Sequence, residues 1–497
     1  MPVRAAYNDR VIPTTELNLF LEPEGKGALY VRVAEAVLAA VRAGRIAPGA
    51  PLPGIRELGA KFGVHRNTVL VAMRELEAQG WLEARPRLGF YVVHRLPEGP
   101  ARTHAAPARP PSGILGFDVS SPLAPVTDTR NQLRDFSDGV ADGRLVPIEA
   151  MAQAYLRGLR LRGPELLQSS EFKGLQRLRN VLAEHLAQRR ALTLGPEQLL
   201  IVRSTSMAVS LVAQAIIGPG GGSVAVEDPG NPAVWATLGQ ASPSTLVPIP
   251  VDQDGLRTEV LEAHLRRSPI QLLVLTPQCH YPTGVSLAPE RRRQVLDLAT
   301  RHRFPILELD PEFDYLRRGL DSQPPLAAQD TTGQVIYAGS LSRVLAPGLR
   351  LGYLGLPATL ADKMARARQR LDWQGDPLQE WVISELFLDG DFRRHLRRLR
   401  KAFLERREAL MDALRHSLGD RVAFHEGHGG MALWLTGAGD WKDSIKFDLW
   451  VLACAQKGFK LRQGKWFTLD GRSLSATRFG FTAYRPEEIQ EAVALMG

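Results

Sequence analysis

Cysteine and long apolar runs are scarce in this sequence, and each shortage excludes a class of protein. The two cysteines, Cys279 and Cys454, lie far apart and outside any cluster of metal ligands, which excludes a disulfide framework and a cysteine-type zinc site. No apolar run approaches the length of a membrane-spanning helix, and residues 1–20 lack the apolar core of a signal peptide. We therefore expect a protein of the reducing cytoplasm that binds neither a membrane nor a metal ion.

The composition is that of a soluble globular protein with a surplus of basic residues. Of the 497 residues, 44% are hydrophobic and 23% are charged, and this length favours two or three domains. The net charge of +9 favours polyanionic partners, although basicity alone is weak evidence for DNA binding. Part of the charge lies in the run Arg-Arg-His-Leu-Arg-Arg-Leu-Arg at residues 393–400, which is typical of a solvated helix face.

A change of composition divides the chain into a head and a body. Residues 94–133 are rich in Pro, Ala, Arg and Ser, which is typical of an extended linker. The linker follows a first domain, residues 1–93, whose regular pattern is confined to a core at 28–93. The body that comes after it is long enough for a large domain at 134–390 and a smaller lobe at 391–497.

Short apolar runs and amphipathic stretches alternate in the large domain. The alternation predicts an α/β fold, with a mostly parallel sheet flanked by helices. A long helix from about 391 to 418 then opens the C-terminal lobe, where strands and helices mix as in an α+β lobe. The strand candidates are residues 199–202, 223–226, 272–275 and 306–307, and the clearest helix candidates are 178–188 and 289–301.

The head carries the strongest pattern in the chain. Three helices are predicted from apolar residues at helical spacing, and glycines follow their ends. Two extended segments at 81–84 and 90–93 come next, joined by the basic stretch 85–89. This order is typical of a winged helix-turn-helix. The inward positions are Tyr30, Val33, Val37 and Val41 in the first helix, Ile55, Leu58 and Phe62 in the second, and Val69, Met73 and Leu76 in the third.

Polar residues in the head stand where a DNA-binding module needs them. The third helix opens with His65-Arg66-Asn67-Thr68, and Arg and Asn there can each make two hydrogen bonds to a base, guanine and adenine respectively. Arg56, at the start of the second helix, is placed to hold phosphate, and Arg85 and Arg87 on the wing can reach backbone or minor groove. The alternative is that these are ordinary surface charges. Double-stranded DNA is the predicted partner.

Two stretches of the head give a family resemblance. Leu-Pro-Gly-Ile-Arg-Glu-Leu at 52–58 and Gly-Val-His-Arg-Asn-Thr-Val at 63–69 closely resemble the head of GntR-type transcription regulators. The sequence departs from that family at His65, where Ser or Thr normally caps the recognition helix, so we expect a weaker cap. It departs again at the wing tip, where Arg87-Leu88 replaces the common Gly and Ser.

The body resembles the fold-type I aminotransferase domain of the MocR subgroup of GntR regulators, from about Arg134 to the C-terminus. The resemblance implies an aminotransferase-like fold, pyridoxal phosphate as the family's cofactor, and a homodimer in which each head can lie over the partner's body. The motifs that carry the resemblance are Glu227-Asp228-Pro229-Gly230, Tyr281-Pro282-Thr283-Gly284, Leu345-Ala346-Pro347-Gly348-Leu349-Arg350-Leu351-Gly352-Tyr353 and Arg478-Phe479-Gly480-Phe481.

Within the resemblance, the residues for cofactor chemistry are replaced. Arg343 stands at the lysine that forms an imine with the cofactor, and an always-protonated guanidinium cannot supply the neutral amine. Leu309 replaces the Asp under the pyridine nitrogen, unless the alignment shifts by one residue and gives that role to Asp310. Other replacements are Pro311 for the Tyr that holds the ring hydroxyl, Asn231 for a stacking aromatic residue, and Ser204-Thr205-Ser206 for the phosphate-cradling loop.

Two anion-holding positions survive in the resemblance. Arg350 matches the arginine that binds the cofactor phosphate, and Arg478 matches the one that binds a substrate or effector carboxylate. With Arg343, Ser340 and Ser342 they form a predicted site for a small anionic effector. In the alternative, internal carboxylates such as Glu308 and Asp310 pair with the arginines, and the site is structural.

The sequence therefore predicts a DNA-binding transcription regulator whose body has lost catalysis and either binds an effector or only dimerises. The body is then expected to hold no covalent cofactor. An active pyridoxal-phosphate aminotransferase with a regulatory head, and a regulator that senses pyridoxal phosphate without a covalent bond, are the alternatives. As a regulator it would be cytoplasmic, and associated with the nucleoid when bound to DNA.

Overall fold

The chain separates into two compact units, residues 1–126 and 127–497. The computed structural model describes residues 28–97, 133–168, 171–315, 323–426 and 429–497. Most of the predicted linker, and residues 1–27 of the predicted first domain, lie outside the described residues. Each unit has a hydrophobic core of its own.

Over residues 28–97, the first unit contains three helices followed by an antiparallel hairpin, as a winged helix-turn-helix requires. The predicted inward residues from Val33 to Leu76 are buried apart from the half-buried Ile55, whereas Tyr30 is 37% exposed because it lies in the first turn of its helix. Gly63, at φ 65°, makes the left-handed turn between the second and third helices. The elements are α1 Leu29–Arg42, α2 Ile55–Phe62, α3 Arg66–Ala78, β1 Leu82–Arg85 and β2 Gly89–Val92.

The large domain of the second unit alternates strands and helices as predicted. All the strand and helix candidates of the sequence appear, several of them extended by a few residues. The elements are β3 Arg134–Asp135, α4 Ile148–Leu166, α5 Gln176–Arg190, β4 Leu199–Val202, α6 Thr205–Ile216, β5 Gly222–Asp228, α7 Pro232–Ala241, β6 Ser244–Asp252, β7 Gly255–Leu256, α8 Thr258–Leu265, β8 Leu272–Leu275, α9 Pro289–His302, β9 Ile306–Asp310, α10 Leu326–Gln329, β10 Val335–Ser340, β11 Gly352–Gly355, α11 Ala358–Asp372 and α12 Pro377–Leu388.

Apart from β3, these strands form one eight-stranded sheet in the order β4-β11-β10-β9-β8-β5-β6-β7. The five strands from β10 to β6 run parallel, while β11 is antiparallel to both of its neighbours and β7 is an antiparallel edge. Strands β8 and β9, in the parallel part of the sheet, are buried along their whole length, as parallel strands covered by helices on both faces must be. Because parallel strands end at the same edge, the residues that follow β5, β8, β9 and β10 meet in one cleft.

The C-terminal lobe opens with the predicted long helix and adds a three-stranded antiparallel sheet, β12-β13-β15. On that helix the arginines of the 393–400 run at 393, 394, 397 and 398 are exposed, while the apolar side chains between them are buried, so the prediction of a solvated face is confirmed. The elements are α13 Asp391–Leu418, β12 Val422–Phe424, β13 Ala432–Gly437, α14 Ser444–Gln456, β14 Phe459–Lys460, β15 Ala476–Gly480 and α15 Pro486–Met496.

One domain boundary differs from the prediction. Strand β3, placed by sequence at the start of the large domain, pairs in parallel with β14 of the C-terminal lobe. Phe136, which follows β3, is fully buried and its ring stacks on Tyr484 at 4.2 Å between centroids. Residues 134–136 therefore belong with the lobe, because the lobe supplies both the strand partner and the apolar pocket.

Candidate functional site

The recognition helix of the head presents its predicted reading residues to solvent. Arg66 and Asn67 are exposed in the first turn of α3, and Thr68 beside them is half-buried. His65 does cap the helix, since its Nδ1 atom accepts a hydrogen bond of 3.3 Å from the backbone N–H of Asn67. The contact is long, as expected for a residue that replaces Ser or Thr.

Arg85 and Arg87 on the wing differ in how far neighbouring side chains hold their guanidinium groups. Arg87 is exposed at the wing tip, where its φ of 65° lies in the left-handed region. Arg85 is held within the hairpin, since its Nη2 atom contacts Glu83 at 2.5 Å and its guanidinium lies 4.1 Å from the centre of the Tyr91 ring. That Arg85 reaches the DNA backbone or minor groove stays a prediction, and such a contact would have to compete with the contacts to Glu83 and Tyr91. Arg56, in the first turn of α2, is exposed as predicted for a phosphate contact.

Two further residues lie on the reading face of α3 that were not predicted from the sequence. Val71 is 48% exposed and Arg74 is exposed, one and two turns after Asn67 on the same side of the helix. Helical spacing alone could have predicted this face, because positions 67, 71 and 74 lie opposite the buried positions 69, 73 and 76. An exposed valine at this place suits contact with a thymine methyl group in the major groove.

In the body, the strand ends enclose a cavity of about 150 Å³. Its wall includes Leu309 and Pro311 at the end of β9. Asp310 points to the other face of the sheet, where it pairs with buried Arg190 and accepts a hydrogen bond of 2.8 Å from the Tyr337 hydroxyl. Since side chains alternate along a strand, this places Leu309 at the cleft, as in the unshifted alignment.

Two arginines near the cavity are joined by one carboxylate. Arg343 donates from Nη1 to the carbonyl oxygen of Gly139 at 2.6 Å and from Nη2 to Asp138 at 3.3 Å. Arg478 donates from Nε to the other oxygen of Asp138 at 2.9 Å and from Nη2 to Glu312 at 2.8 Å. Although burial alone raises the pKa of Asp138, Arg343 and Arg478 outweigh that effect and hold the pKa below its usual value.

The arginines predicted to gather in the cleft do not all do so. Arg350 is exposed and is not among the residues that line this cavity, so three guanidinium groups do not converge there. The carboxylates that pair with Arg343 and Arg478 are Asp138 and Glu312. They are not the predicted Glu308 and Asp310, since Glu308 accepts from the backbone N–H groups of residues 326 and 327, at 2.9 Å each, and Asp310 from Arg190.

The two predicted serines serve the backbone of the same loop. The Ser342 hydroxyl accepts a hydrogen bond of 2.6 Å from the N–H of Leu351 and donates one of 3.1 Å to its carbonyl oxygen. The Ser340 hydroxyl accepts from the N–H of Arg343 at 3.3 Å. Both side chains thus shape the turn that carries Arg343.

Comparison with known proteins agrees with both halves of this description. Residues 29–92 match the bacterial regulatory proteins of the gntR family, and residues 135–495 match aminotransferase class I and II. The chain is 30% identical to the HTH-type transcriptional regulator TauR of Rhodobacter capsulatus over 96% of this chain and 97% of that protein. It is 29% identical to the probable rhizopine catabolism regulatory protein MocR of Rhizobium meliloti, over 84% of this chain and 83% of that protein.

This chain belongs to the MocR subgroup of the GntR family. Among solved structures, its body is similar to the multiple substrate aminotransferase from Thermococcus profundus, with a TM-score of 0.67 and 24% identity over 74% of this chain and 91% of that one. The similarity to this aminotransferase shows the fold alone. This MocR-type protein is a DNA-binding transcription regulator with an aminotransferase-like body, and the predictions of family, fold class and general function are confirmed.

Neither a membrane span nor a metal site is found among the described residues of the regulator. Over the described part of the chain, every helix is too short or too polar to cross a membrane. Over the same residues, His, Cys, Asp and Glu side chains form no group of three that could hold a metal ion.

A buried acid, Glu227, lies next to the cavity and is hydrogen-bonded to Thr276 in the cavity wall. Oε2 of Glu227 accepts hydrogen bonds of 2.8 Å from both the N–H and the hydroxyl of Thr276, and it lies 3.7 Å from Nε2 of His280. Burial raises the pKa of Glu227 to about 8, and burial lowers the pKa of His280 to about 3. At neutral pH both groups are therefore uncharged.

We expect Glu227→Gln to flatten the fall in stability between about pH 5 and pH 9. Folding raises the pKa of this carboxyl, so its contribution to stability is fully present at pH values below its pKa in the unfolded chain. That contribution is lost as the pH rises through its pKa in the folded protein. Because folding raises the pKa of Glu227 from 4.5 to about 8, the free energy of unfolding of the variant should rise by about 4 kcal/mol relative to the wild type from the lower to the higher pH. Thermal melting at both pH values measures this, with exposed Glu408→Gln as the control. An equal difference from the wild type at both pH values would contradict it.

Proposed function

We propose that this regulator reads duplex DNA through α3 and the wing, and that its body catalyses no transamination. The observation that carries the second part is the state of Arg343, whose guanidinium is held by Gly139 and Asp138 at the position where the resemblance places the imine-forming lysine. That group is always protonated and cannot form an imine. The proposal places the protein in the bacterial cytoplasm, associated with the nucleoid when bound to DNA.

The residues around the cavity do not fit covalently held pyridoxal phosphate. Leu309 offers an apolar wall where a carboxylate would stand under the pyridine nitrogen. Asn231 and Ser204 are used as helix caps, since their side chains accept from the backbone N–H groups of Ala233 at 3.0 Å and Met207 at 3.1 Å. These contacts support loss of the cofactor chemistry.

We expect purified protein mixed with pyridoxal phosphate to show no imine absorbance and no lysine trapped by borohydride. Arg343→Lys should regain no turnover, because Leu309 still leaves the ring nitrogen without its carboxylate. The double variant Arg343→Lys/Leu309→Asp is the matched comparison, since it restores both groups. An imine band in the wild-type protein that borohydride fixes on any lysine would contradict the proposal.

For the cleft, the geometry favours a structural role of the arginines over an effector site. Buried charges need partners, and Asp138 and Glu312 already supply them for Arg343 and Arg478. Arg350, which is exposed, keeps its guanidinium available for an anion. The proposal is therefore that the body mainly organises the regulator, with an anionic effector at Arg350 as the second candidate.

A homodimer is part of the proposal, and its support is an uncovered apolar face on α4. Ile148, Ala152, Leu156 and Leu159 lie along one side of that helix and are all exposed. Patches of this kind mark protein interfaces, and a second copy would cover the face and place two heads on one duplex.

We expect the double variant Leu156→Asp/Leu159→Asp to be monomeric in light scattering while the wild type is dimeric. Two carboxylates in an apolar interface are buried without partners, which opposes association. Leu449→Asp on α14, where the leucine is 60% exposed, is the control and should leave the mass unchanged. A dimeric double variant would show that α4 is not the interface.

A further inference from the structure

A groove of about 420 Å³ lies on the body, away from the cleft. It is formed by the C-terminal halves of α5 and α12 and by the first turns of α13. It shares none of its lining residues with the cavity at the strand ends. Its size falls in the range of small-molecule sites, which are usually apolar clefts with a few placed polar groups.

One wall of the groove is aromatic. The rings of Phe387 and Phe392 stack at 4.1 Å between centroids, with an angle of 28° between their planes. His185 meets both rings edge-on, at 5.2 Å and 5.5 Å. Burial lowers the pKa of His185 to about 4, so the wall is uncharged at neutral pH. A flat apolar group can lie against this surface.

The rim of the groove is basic. Arg393 and Arg397 stand one turn apart on the exposed side of α13, an arrangement of like charges that destabilises a helix. Their neighbour Arg394 pairs with Asp391 at 2.6 Å, but across the described residues neither Arg393 nor Arg397 contacts an acid. The acid that lines the groove, Glu184, already accepts from Gln188 at 2.8 Å. Two guanidinium forks thus face the groove unpaired.

We propose that this groove binds a small amphipathic carboxylate. The apolar body of the ligand lies on the wall of His185, Phe387 and Phe392, and its carboxylate accepts hydrogen bonds from Arg393 and Arg397. Planar guanidinium groups match the geometry of a carboxylate, and the apolar wall adds affinity that a bare anion does not obtain. The site is independent of the proposed role of the cleft and of DNA reading, and its test measures neither.

The first experiment compares probes by calorimetry on the full-length protein. Indole-3-acetate and octanoate carry both an apolar group and a carboxylate. Indole-3-acetamide lacks the charge, and acetate lacks a large apolar group. We expect at least one of the first two to bind and the last two to bind about tenfold more weakly or worse. If neither indole-3-acetate nor octanoate binds up to about 10 mM, or if acetate binds equally well, the proposal is wrong.

The second experiment locates the site with two charge-matched variants. The double variant Arg393→Gln/Arg397→Gln should lower the affinity for the probe about tenfold. The control Arg398→Gln/Lys401→Gln removes two charges from the same helix outside the groove lining, and it should change that affinity less than about twofold. All four residues are exposed, so both variants should fold, which circular dichroism checks. Equal losses in the two variants, or displacement of the probe by a non-specific DNA duplex, would make the rim a general basic surface and overturn the assignment.

Discussion

Arg478→Ala is expected to lower the free energy of unfolding of the body by about 3 kcal/mol. The substitution leaves buried Glu312 without its cationic partner and removes one of the two arginines that hold Asp138. Arg478 also donates to the carbonyl oxygen of Pro282 at 3.1 Å, so three acceptors lose a donor at once. A protein that buries a carboxylate without its cationic partner is much less stable than one in which the ion pair is intact.

Chemical denaturation, followed by a signal from the body, measures the loss. Arg415→Ala is the control, because this arginine is exposed and pairs with exposed Glu426, a contact worth about 1 kcal/mol or less. A loss for Arg478→Ala no larger than that of the control would show that the pairing is not structural. Melting with a panel of carboxylates and phosphates distinguishes the other candidate role. An anion that raises the melting temperature of the wild type but not of Arg478→Ala would identify Arg478 as an effector ligand.

The same network shows where prediction from sequence ends. The arginines were found because they stand in motifs, whereas Asp138 stands in none and lies about 200 residues before Arg343 and 340 before Arg478. Only the fold brings them together: the segment after β3 joins the lobe that carries β15, and Asp138 then faces both guanidinium groups. Spacing along the chain holds no signal for such a pairing.

Local sequence patterns, in contrast, were sufficient to predict the helices and strands themselves. The helix predicted from 391 to 418 has those bounds, because its apolar residues repeat at helical spacing and glycines flank both ends. The apolar runs became buried strands because short continuous runs of apolar residues suit a sheet that helices cover on both faces. The error at β3 arose because a two-residue strand has no period, and its place depends on the partner strand β14. Arg350 was assigned from its motif, but its exposure is a tertiary property.

Arg66→Ala is expected to weaken specific DNA binding by about 1–3 kcal/mol, from several-fold to more than a hundredfold, and to relax the base preference at one position in each half-site. Arg66 is exposed at the start of α3, next to Asn67, where an arginine can make two hydrogen bonds to the edge of a guanine. Because the side chain is exposed and lies outside the core of the head, its removal should leave the fold of the head unchanged.

Gel-shift titration on duplexes selected from the region of the protein's own gene and its neighbours measures this effect. Arg56→Ala is the matched comparison, because a phosphate contact should weaken binding to all sequences and reduce the salt slope by about one. Val71 gives a second check on the same face, since replacing a contacted thymine by uracil should weaken the wild type and leave Val71→Ala unaffected. Unchanged specific affinity in Arg66→Ala would mean that Arg66 makes no base contact and that α3 reads DNA further along the same face. The row formed by Val71 and Arg74 would then be the place to look, because it continues the exposed side of the helix beyond its first turn.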